Sequence, residues 1–145
     1  MLKLYIASDE KSFDELAANL IAEQIQLKPD LTLGLATGNT TRKIFHKLSE
    51  LHKRKGLDFH KVKTINLDEY VGADPTKRSS CSFRIHEDFL SHINIDPSNA
   101  YVPSGLTQPI ENELEVFRRK LRSFGGIDLQ ILSVGENGHI AFNEP

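Results

Sequence analysis

Three short segments carry the residues whose types and spacing could do chemistry. Segment 37–41 combines a glycine with hydroxyl side chains, Asp68 and Glu69 are adjacent carboxylates, and segment 135–145 places a histidine, a carboxylate and side-chain amides among glycines. Each segment follows an apolar stretch that is typical of a buried strand. Because ligands of α/β proteins bind at the carboxyl ends of strands, we expect the three segments to form one site.

Segment 37–41 has the composition of an anion site. A glycine turn that leads into a helix exposes free backbone N–H groups, and the helix dipole also favours negative charge. The segment is not a Walker loop, because it lacks Gly-Lys-Ser/Thr, and it lacks the Gly-x-Gly-x-x-Gly spacing. The simpler alternative is an ordinary helix cap with Thr40 or Thr41 as the N-cap. Taken alone, the segment favours that simpler interpretation.

Asp68 and Glu69 stand at a predicted strand end. Successive side chains of extended backbone point to opposite sides, so we expect only one of the two to face the cleft. A carboxylate beside a bound polyol could act as a general base, and a surface turn is the alternative.

His139 lies between Gly138 and an apolar stretch. A neutral imidazole with an orienting partner can shuttle protons near neutral pH, and Asn137 and Glu144 are the candidate partners. A satisfied core histidine is the competing interpretation. The other histidines lack ligand spacing, so no metal site is predicted, and Cys81 lacks the context of a nucleophile.

The apolar periodicity predicts an α/β fold. Helices between strands indicate a Rossmann-like, three-layer parallel sheet with helices on both faces, formed by one domain over residues 1–145. The predicted strands are 2–7, 31–35, 62–67 and 127–134, and the predicted helices begin near 8–11, 44, 82 and 110 and end before Pro29, at Gly56, near 92 and at 124.

The bulk composition excludes several classes of partner. A net charge of -2 gives no general reason to expect nucleic acid or an anionic membrane. The single cysteine excludes an intrachain disulfide and favours a reducing compartment. The N-terminus does not match a signal peptide, and no apolar run reaches membrane-spanning length. These features predict a cytoplasmic location.

Together the three segments resemble the glucosamine-6-phosphate deaminase family. The resemblance rests on residues 33–41, 66–72 and 135–145, and it extends over the whole chain. The ending Ala-Phe-Asn-Glu-Pro separates the deaminases from the related 6-phosphogluconolactonases, which share the fold and a similar Gly-x-Asp-Gly-His element.

The resemblance implies conversion of glucosamine 6-phosphate and water to fructose 6-phosphate and ammonia, a step of amino-sugar catabolism that needs no metal or organic cofactor. It implies that Asp68 moves a proton between C2 and C1 and that His139 promotes ring opening, with Asn137 and Glu144 tuning and orienting it. The residues implied to hold the sugar phosphate are Gly38, Asn39, Thr40 and Thr41.

Two departures from the family pattern stand out. The first segment reads Gly-Asn-Thr-Thr where the family usually has Ser or Gly and then Thr-Pro. Loss of the proline, which is common at the first position of a helix, should alter loop rigidity more than anion capture. Position 137 is Asn where some members carry Asp, and Asn can orient by hydrogen bonding but cannot ionise.

Family members continue beyond the Asn-Glu-Pro element with further strands, helices and basic residues. We therefore expect a sheet that is incomplete at the C-terminus and weak or no turnover by residues 1–145 alone. The alternatives are a 6-phosphogluconolactonase-like enzyme, a non-catalytic sugar-phosphate-binding module and an inactive fragment. Family members act as monomers, trimers or hexamers, so homo-oligomer formation stays open.

Overall fold

The computed structural model describes residues 2–145 of the chain. Four parallel strands form one sheet in the order β3-β2-β1-β4. The strands are β1 (Thr32–Leu35), β2 (Lys63–Asn66), β3 (Ala100–Tyr101) and β4 (Leu129–Gln130), and the helices are α1 (Glu10–Leu27), α2 (Asn39–Lys55), α3 (Cys81–Asp88) and α4 (Ile110–Ser123). Short 3₁₀ turns cover Leu90–His92 and Pro97–Asn99.

Strand β1 is the centre of the sheet. It pairs with β2 along its whole length and with β4 through Leu33 and Gly34. All four residues of β1 are buried, although successive side chains point to opposite faces. Both faces of the sheet are therefore covered, as a three-layer α/β fold requires, and the predicted fold class is confirmed.

The core joins the sheet to α1, α2 and α3. Phe45 of α2 stacks on Phe89, with 4.8 Å between ring centroids, and Phe59 meets Phe89 edge-on at 5.6 Å. All three rings are fully buried. This cluster fixes α2 and the end of α3 against each other, and the amino ends of both helices then lie beside the candidate site.

The start of α1 and the end of α2 lie where their terminal residues predict. Asp9 caps α1 by accepting a hydrogen bond of 2.7 Å from the backbone N–H of Ser12. Gly56 ends α2 at a positive φ of 69°, a conformation that glycine adopts without a Cβ penalty. The cations that precede Gly56 lie in the last turn of α2, where positive charge interacts favourably with the helix dipole.

Several sequence predictions are wrong in detail. Residues 2–7 form no strand, and Leu2, Leu4 and Ile6 are 95%, 81% and 87% exposed. The predicted strand 127–134 shrinks to β4, because only two of its residues pair with β1. Strand β3 was not predicted, and the predicted helix 82–92 is divided at Phe89 into α3 and a 3₁₀ turn.

Within residues 2–145, no helix is long and apolar enough to cross a membrane.

Candidate active site

A cavity of about 700 Å³ brings the three predicted segments together. Its walls include residues 36–41 at the end of β1 and Asp68 and Tyr70 after β2. Beyond β4 the wall is formed by residues 132–136, His139, Ala141, Phe142 and Glu144. The carboxyl ends of neighbouring parallel strands meet at one edge of a sheet, and this shared edge explains the convergence.

The first wall is the amino end of α2. The helix begins at Asn39 with Gly38 as its N-cap, and no side chain makes a capping hydrogen bond to it within residues 2–145. The predicted cap by Thr40 or Thr41 is therefore wrong. Thr41 is buried, and its hydroxyl donates back to the Gly38 carbonyl at 3.1 Å. The first N–H groups of α2 thus have no capping side chain, which is the condition for capturing an anion.

Asp68 faces the cavity and Glu69 faces away from it. The Glu69 carboxylate accepts hydrogen bonds from the Ser80 hydroxyl at 2.6 Å and from the Cys81 and Ser82 backbone N–H groups at 3.0 and 2.9 Å. These contacts tie the end of β2 to the start of α3. The Asp68 carboxylate is left on the cavity wall.

The pKa values of Asp68 and Glu69 are shifted in opposite directions. Burial raises the pKa of Asp68, and the neighbouring Glu69 charge raises it further. Burial also raises the pKa of Glu69, but the hydrogen bonds from Ser80, Ser82, Cys81 and Tyr70 outweigh it and leave the pKa lowered. Asp68 is consequently the carboxyl group of this pair that is suited to take up a proton.

Cys81 lies between the first two segments. Its sulfur accepts a hydrogen bond of 3.1 Å from the Thr37 hydroxyl and lies 4.0 Å from Asp68 Oδ1. Burial raises the pKa of the thiol, so it stays protonated at neutral pH. The Asp68 backbone is held as well, since the Asn66 side-chain amide donates to its carbonyl at 3.0 Å.

His139, Asn137 and Glu144 form a hydrogen-bonded chain. Asn137 Nδ2 donates to Glu144 Oε2 at 2.9 Å, and Asn137 Oδ1 lies 2.6 Å from His139 Nδ1. A carboxylate only accepts, so the amide nitrogen must face Glu144 and the amide oxygen must face the imidazole. His139 Nδ1 therefore carries the proton in this arrangement. The neutral ring then has the free lone pair of Nε2 available for proton transfer.

Glycines shape the loop that carries these three hydrogen-bonded residues. Gly135 N–H donates to the His139 carbonyl at 2.8 Å, and a Cβ on Gly135 would overlap the imidazole ring. Gly138 turns the backbone at a positive φ of 90°. The ring of Phe142 packs on Tyr70 with 4.7 Å between centroids, which joins the third segment to the second.

Sequence reasoning missed Cys81 and Arg84 as parts of the cavity wall. Cys81 meets a threonine 44 positions away. No local pattern carries that signal.

Within residues 2–145, no group of three or more His, Cys, Asp or Glu side chains could hold a metal ion.

Comparison with known proteins identifies the class. The family described as glucosamine-6-phosphate isomerases/6-phosphogluconolactonase matches residues 8–142, and the chain belongs to this family. It is 41% identical over 144 residues to a glucosamine-6-phosphate deaminase of Clostridium beijerinckii and 42% identical to one of Halothermothrix orenii. In both comparisons 99% of this chain covers 60% of the relative, so the chain spans about 60% of the length of these relatives.

Solved structures point the same way. A monomeric glucosamine-6-phosphate deaminase is similar with a TM-score of 0.94 and 36% identity, over 99% of this chain and 60% of the other. A 6-phosphogluconolactonase from Thermotoga maritima has a TM-score of 0.79 and 25% identity, over 95% and 62%. The likeness to the deaminase is therefore the stronger of the two.

Proposed function

We propose that this chain carries a glucosamine-6-phosphate deaminase site, which converts glucosamine 6-phosphate and water to fructose 6-phosphate and ammonia. The observation that carries the proposal is the chain Glu144–Asn137–His139, which opens on the same cavity as the partly buried Asp68. The higher identity to deaminases than to the compared lactonase supports the same substrate class.

In this proposal His139 opens the sugar ring. Its free Nε2 removes the proton of the anomeric hydroxyl, and the imidazolium that forms gives this proton to the ring oxygen as the C1–O5 bond breaks. Asn137 and Glu144 hold the imidazole in the tautomer that this step needs, and the Glu144 charge stabilises the imidazolium that forms.

Asp68 then carries the isomerisation. Its carboxylate takes the proton from C2, giving an intermediate with a C1–C2 double bond, and returns it to C1. The resulting C2 imine adds water and loses ammonia. All of these steps are proton transfers and water addition, so the reaction as written requires no metal or organic cofactor.

The uncapped start of α2, from Gly38 through Asn39 and Thr40 to Thr41, would hold the phosphate group of the substrate. The partner is then a small sugar phosphate. We assign the reaction to amino-sugar catabolism, including that of N-acetylglucosamine, in the cytoplasm.

The test is ammonia release from glucosamine 6-phosphate by the chain. We expect Asp68→Asn to abolish release and the matched change Asp74→Asn, at an exposed carboxylate that caps its own turn, to leave it unchanged. Measurable ammonia release that is equal in the wild type and Asp68→Asn would contradict the assignment. Hydrolysis of 6-phosphogluconolactone without ammonia release would indicate that the site is that of a lactonase and not of a deaminase.

A further inference from the structure

A second cavity, of about 420 Å³, adjoins the candidate active site. Gly38, Asn39 and Arg84 line both cavities, and the second adds Arg42 and Arg78. Arg42 lies in the first turn of α2, Arg84 lies in α3, and Arg78 lies in the segment that leads into α3. Three arginines from three parts of the chain therefore line one cavity beside the start of α2.

These arginines have no acidic partner within residues 2–145. No carboxylate lies within 4.0 Å of any of the three guanidinium groups. Glu87 and Asp88 line the same cavity and follow Arg84 by three and four residues, a spacing that permits ion pairs on a helix. Arg84 Nε donates instead to the Arg78 backbone carbonyl, at 2.9 Å.

Unpaired arginines that converge on a cavity attract an anion. The net charge of the chain is -2, so this positive region is local. A guanidinium group offers parallel N–H donors that match the oxygens of a phosphate group, and such charge-assisted bonds are stronger than neutral ones.

We propose that Arg42, Arg78 and Arg84 form an anion subsite that binds the phosphate group of a phosphomonoester whose sugar lies in the neighbouring cavity. The choice of a sugar phosphate as the ligand rests on the proposed function. The arginines add side-chain charge to the backbone donors at the start of α2, and Arg84 forms the boundary between the two cavities.

The test follows two ligands, inorganic phosphate and glucosamine 6-phosphate, by NMR titration of the isotope-labelled chain. We expect both to shift the resonances of Asn39, Arg42 and Arg84 saturably. Arg42→Ala and Arg84→Ala should each weaken the apparent affinity about ten-fold or more. Glu87→Gln should strengthen it, since it removes a competing negative charge from the cavity.

Arg54→Ala is the matched control. Arg54 is an exposed arginine in the last turn of α2. Arg54→Ala therefore changes the net charge by the same amount as Arg42→Ala, and on the same helix. We expect its phosphate affinity to equal that of the wild type. An equal loss of affinity in Arg54→Ala and Arg84→Ala would show a general charge effect and overturn the subsite.

The two proposals fail separately. Suppose glucosamine 6-phosphate shifts Asp68 and His139 with wild-type affinity in both Arg42→Ala and Arg84→Ala. The arginine subsite is then wrong and the sugar-phosphate site stands. If inorganic phosphate binds through the arginines while the sugar phosphate leaves Asp68 and His139 unchanged, the subsite stands and the proposed substrate is wrong. Absence of any arginine shift with either ligand overturns the subsite.

Discussion

Asp68 and Glu69 are sequence neighbours whose carboxyl groups have opposite environments. Glu69 is surrounded by hydrogen-bond donors, whereas Asp68 faces the cavity, with the thiol of Cys81 4.0 Å away. Alternation along an extended backbone is sufficient to separate them. Glu69 thus has a structural role, and Asp68 is available for proton transfer.

The raised pKa of Asp68 predicts a cost to stability. Above its folded-state pKa the charged carboxylate is disfavoured in the folded protein, by burial and by Glu69. Stability relative to an uncharged variant should therefore fall as pH rises from the unfolded-state pKa through the folded-state pKa. We expect Asp68→Asn to raise the free energy of unfolding at pH 7 by less than about 1 kcal/mol, measured by urea denaturation.

Asp58→Asn is the control with the opposite sign. Asp58 accepts hydrogen bonds from the Asn94 side chain and the His60 backbone, which lower its pKa. Its loss should destabilise the protein at pH 7. If Asp68→Asn also destabilised the protein at pH 7, the environment inferred for Asp68 would be wrong.

The hydrogen bonds that join Glu144, Asn137 and His139 predict one tautomer of the His139 imidazole. ¹⁵N NMR of the neutral imidazole should show the proton on Nδ1, because Asn137 Oδ1 accepts from that nitrogen at 2.6 Å. Asn137→Ala removes the acceptor and should shift the population towards protonation at Nε2. Exposed His86, on α3, provides an internal reference that should not change. A His139 tautomer that is the same in both proteins would exclude orientation by Asn137.

At the scale of elements, the start of α3 is organised by Glu69. Ser80 caps the helix by accepting from the Phe83 N–H at 3.3 Å, and Glu69 accepts from the first residues of the same turn. Since Cys81 begins α3 and lines the cavity, these contacts fix the distance between α3 and the site.

Glu69→Gln should therefore destabilise the protein. The amide nitrogen of Gln cannot accept, so donors at the start of α3 lose their partner, at a cost of about 1–3 kcal/mol in unfolding free energy. The lowered pKa of Glu69 gives the pH dependence. The stabilisation is complete above the unfolded-state pKa and is lost as pH falls through the folded-state pKa, so the difference should shrink on acidification.

Urea denaturation at several pH values measures this difference. Glu87→Gln is the control, because Glu87 is an exposed carboxylate on the same helix. It should have little effect on unfolding at any of these pH values. A Glu69→Gln penalty that did not change between neutral and acid pH would mean that the Glu69 charge is not the stabilising feature.

The accuracy of the sequence predictions followed how local each signal was. Helical periodicity and terminal residues predicted α1 and α4 nearly to the residue. They predicted the end of α2 at Gly56 as well, but α2 begins at Asn39 and not near residue 44. A strand depends on a partner elsewhere in the chain, so residues 2–7 had strand-like alternation but have no pairing. Strand β3 has only two residues and therefore no alternation to detect.

The candidate site shows the same difference between local signals and contacts of distant residues. Its three segments were predictable, since each carries unusual side chains at the end of an apolar stretch. The contacts between them were not, because Thr37 with Cys81 and Tyr70 with Phe142 are brought together only by the packing of the sheet. The α2 cap was wrong for a related reason, since the Thr41 hydroxyl bonds to Gly38 and not to a helix N–H.

At the scale of the whole molecule, one aromatic cluster links the core to the site. Phe89 is fully buried, stacks on Phe45 of α2 and meets Phe59 edge-on. It follows the last residue of α3 directly. The cluster therefore holds the carboxyl end of the helix whose amino end borders Asp68.

Phe89→Ala should lower the free energy of unfolding by about 3–5 kcal/mol, through lost burial and the cavity left behind. This is a large share of the roughly 5–15 kcal/mol typical of a domain. Phe13→Ala deletes the same atoms at a position that is 44% exposed and should cost much less. Urea denaturation compares the two. Equal losses would mean that Phe89 does not anchor the core. A larger loss in Phe89→Ala, with faster hydrogen exchange at the start of α3, would show that the packing of the core maintains the site.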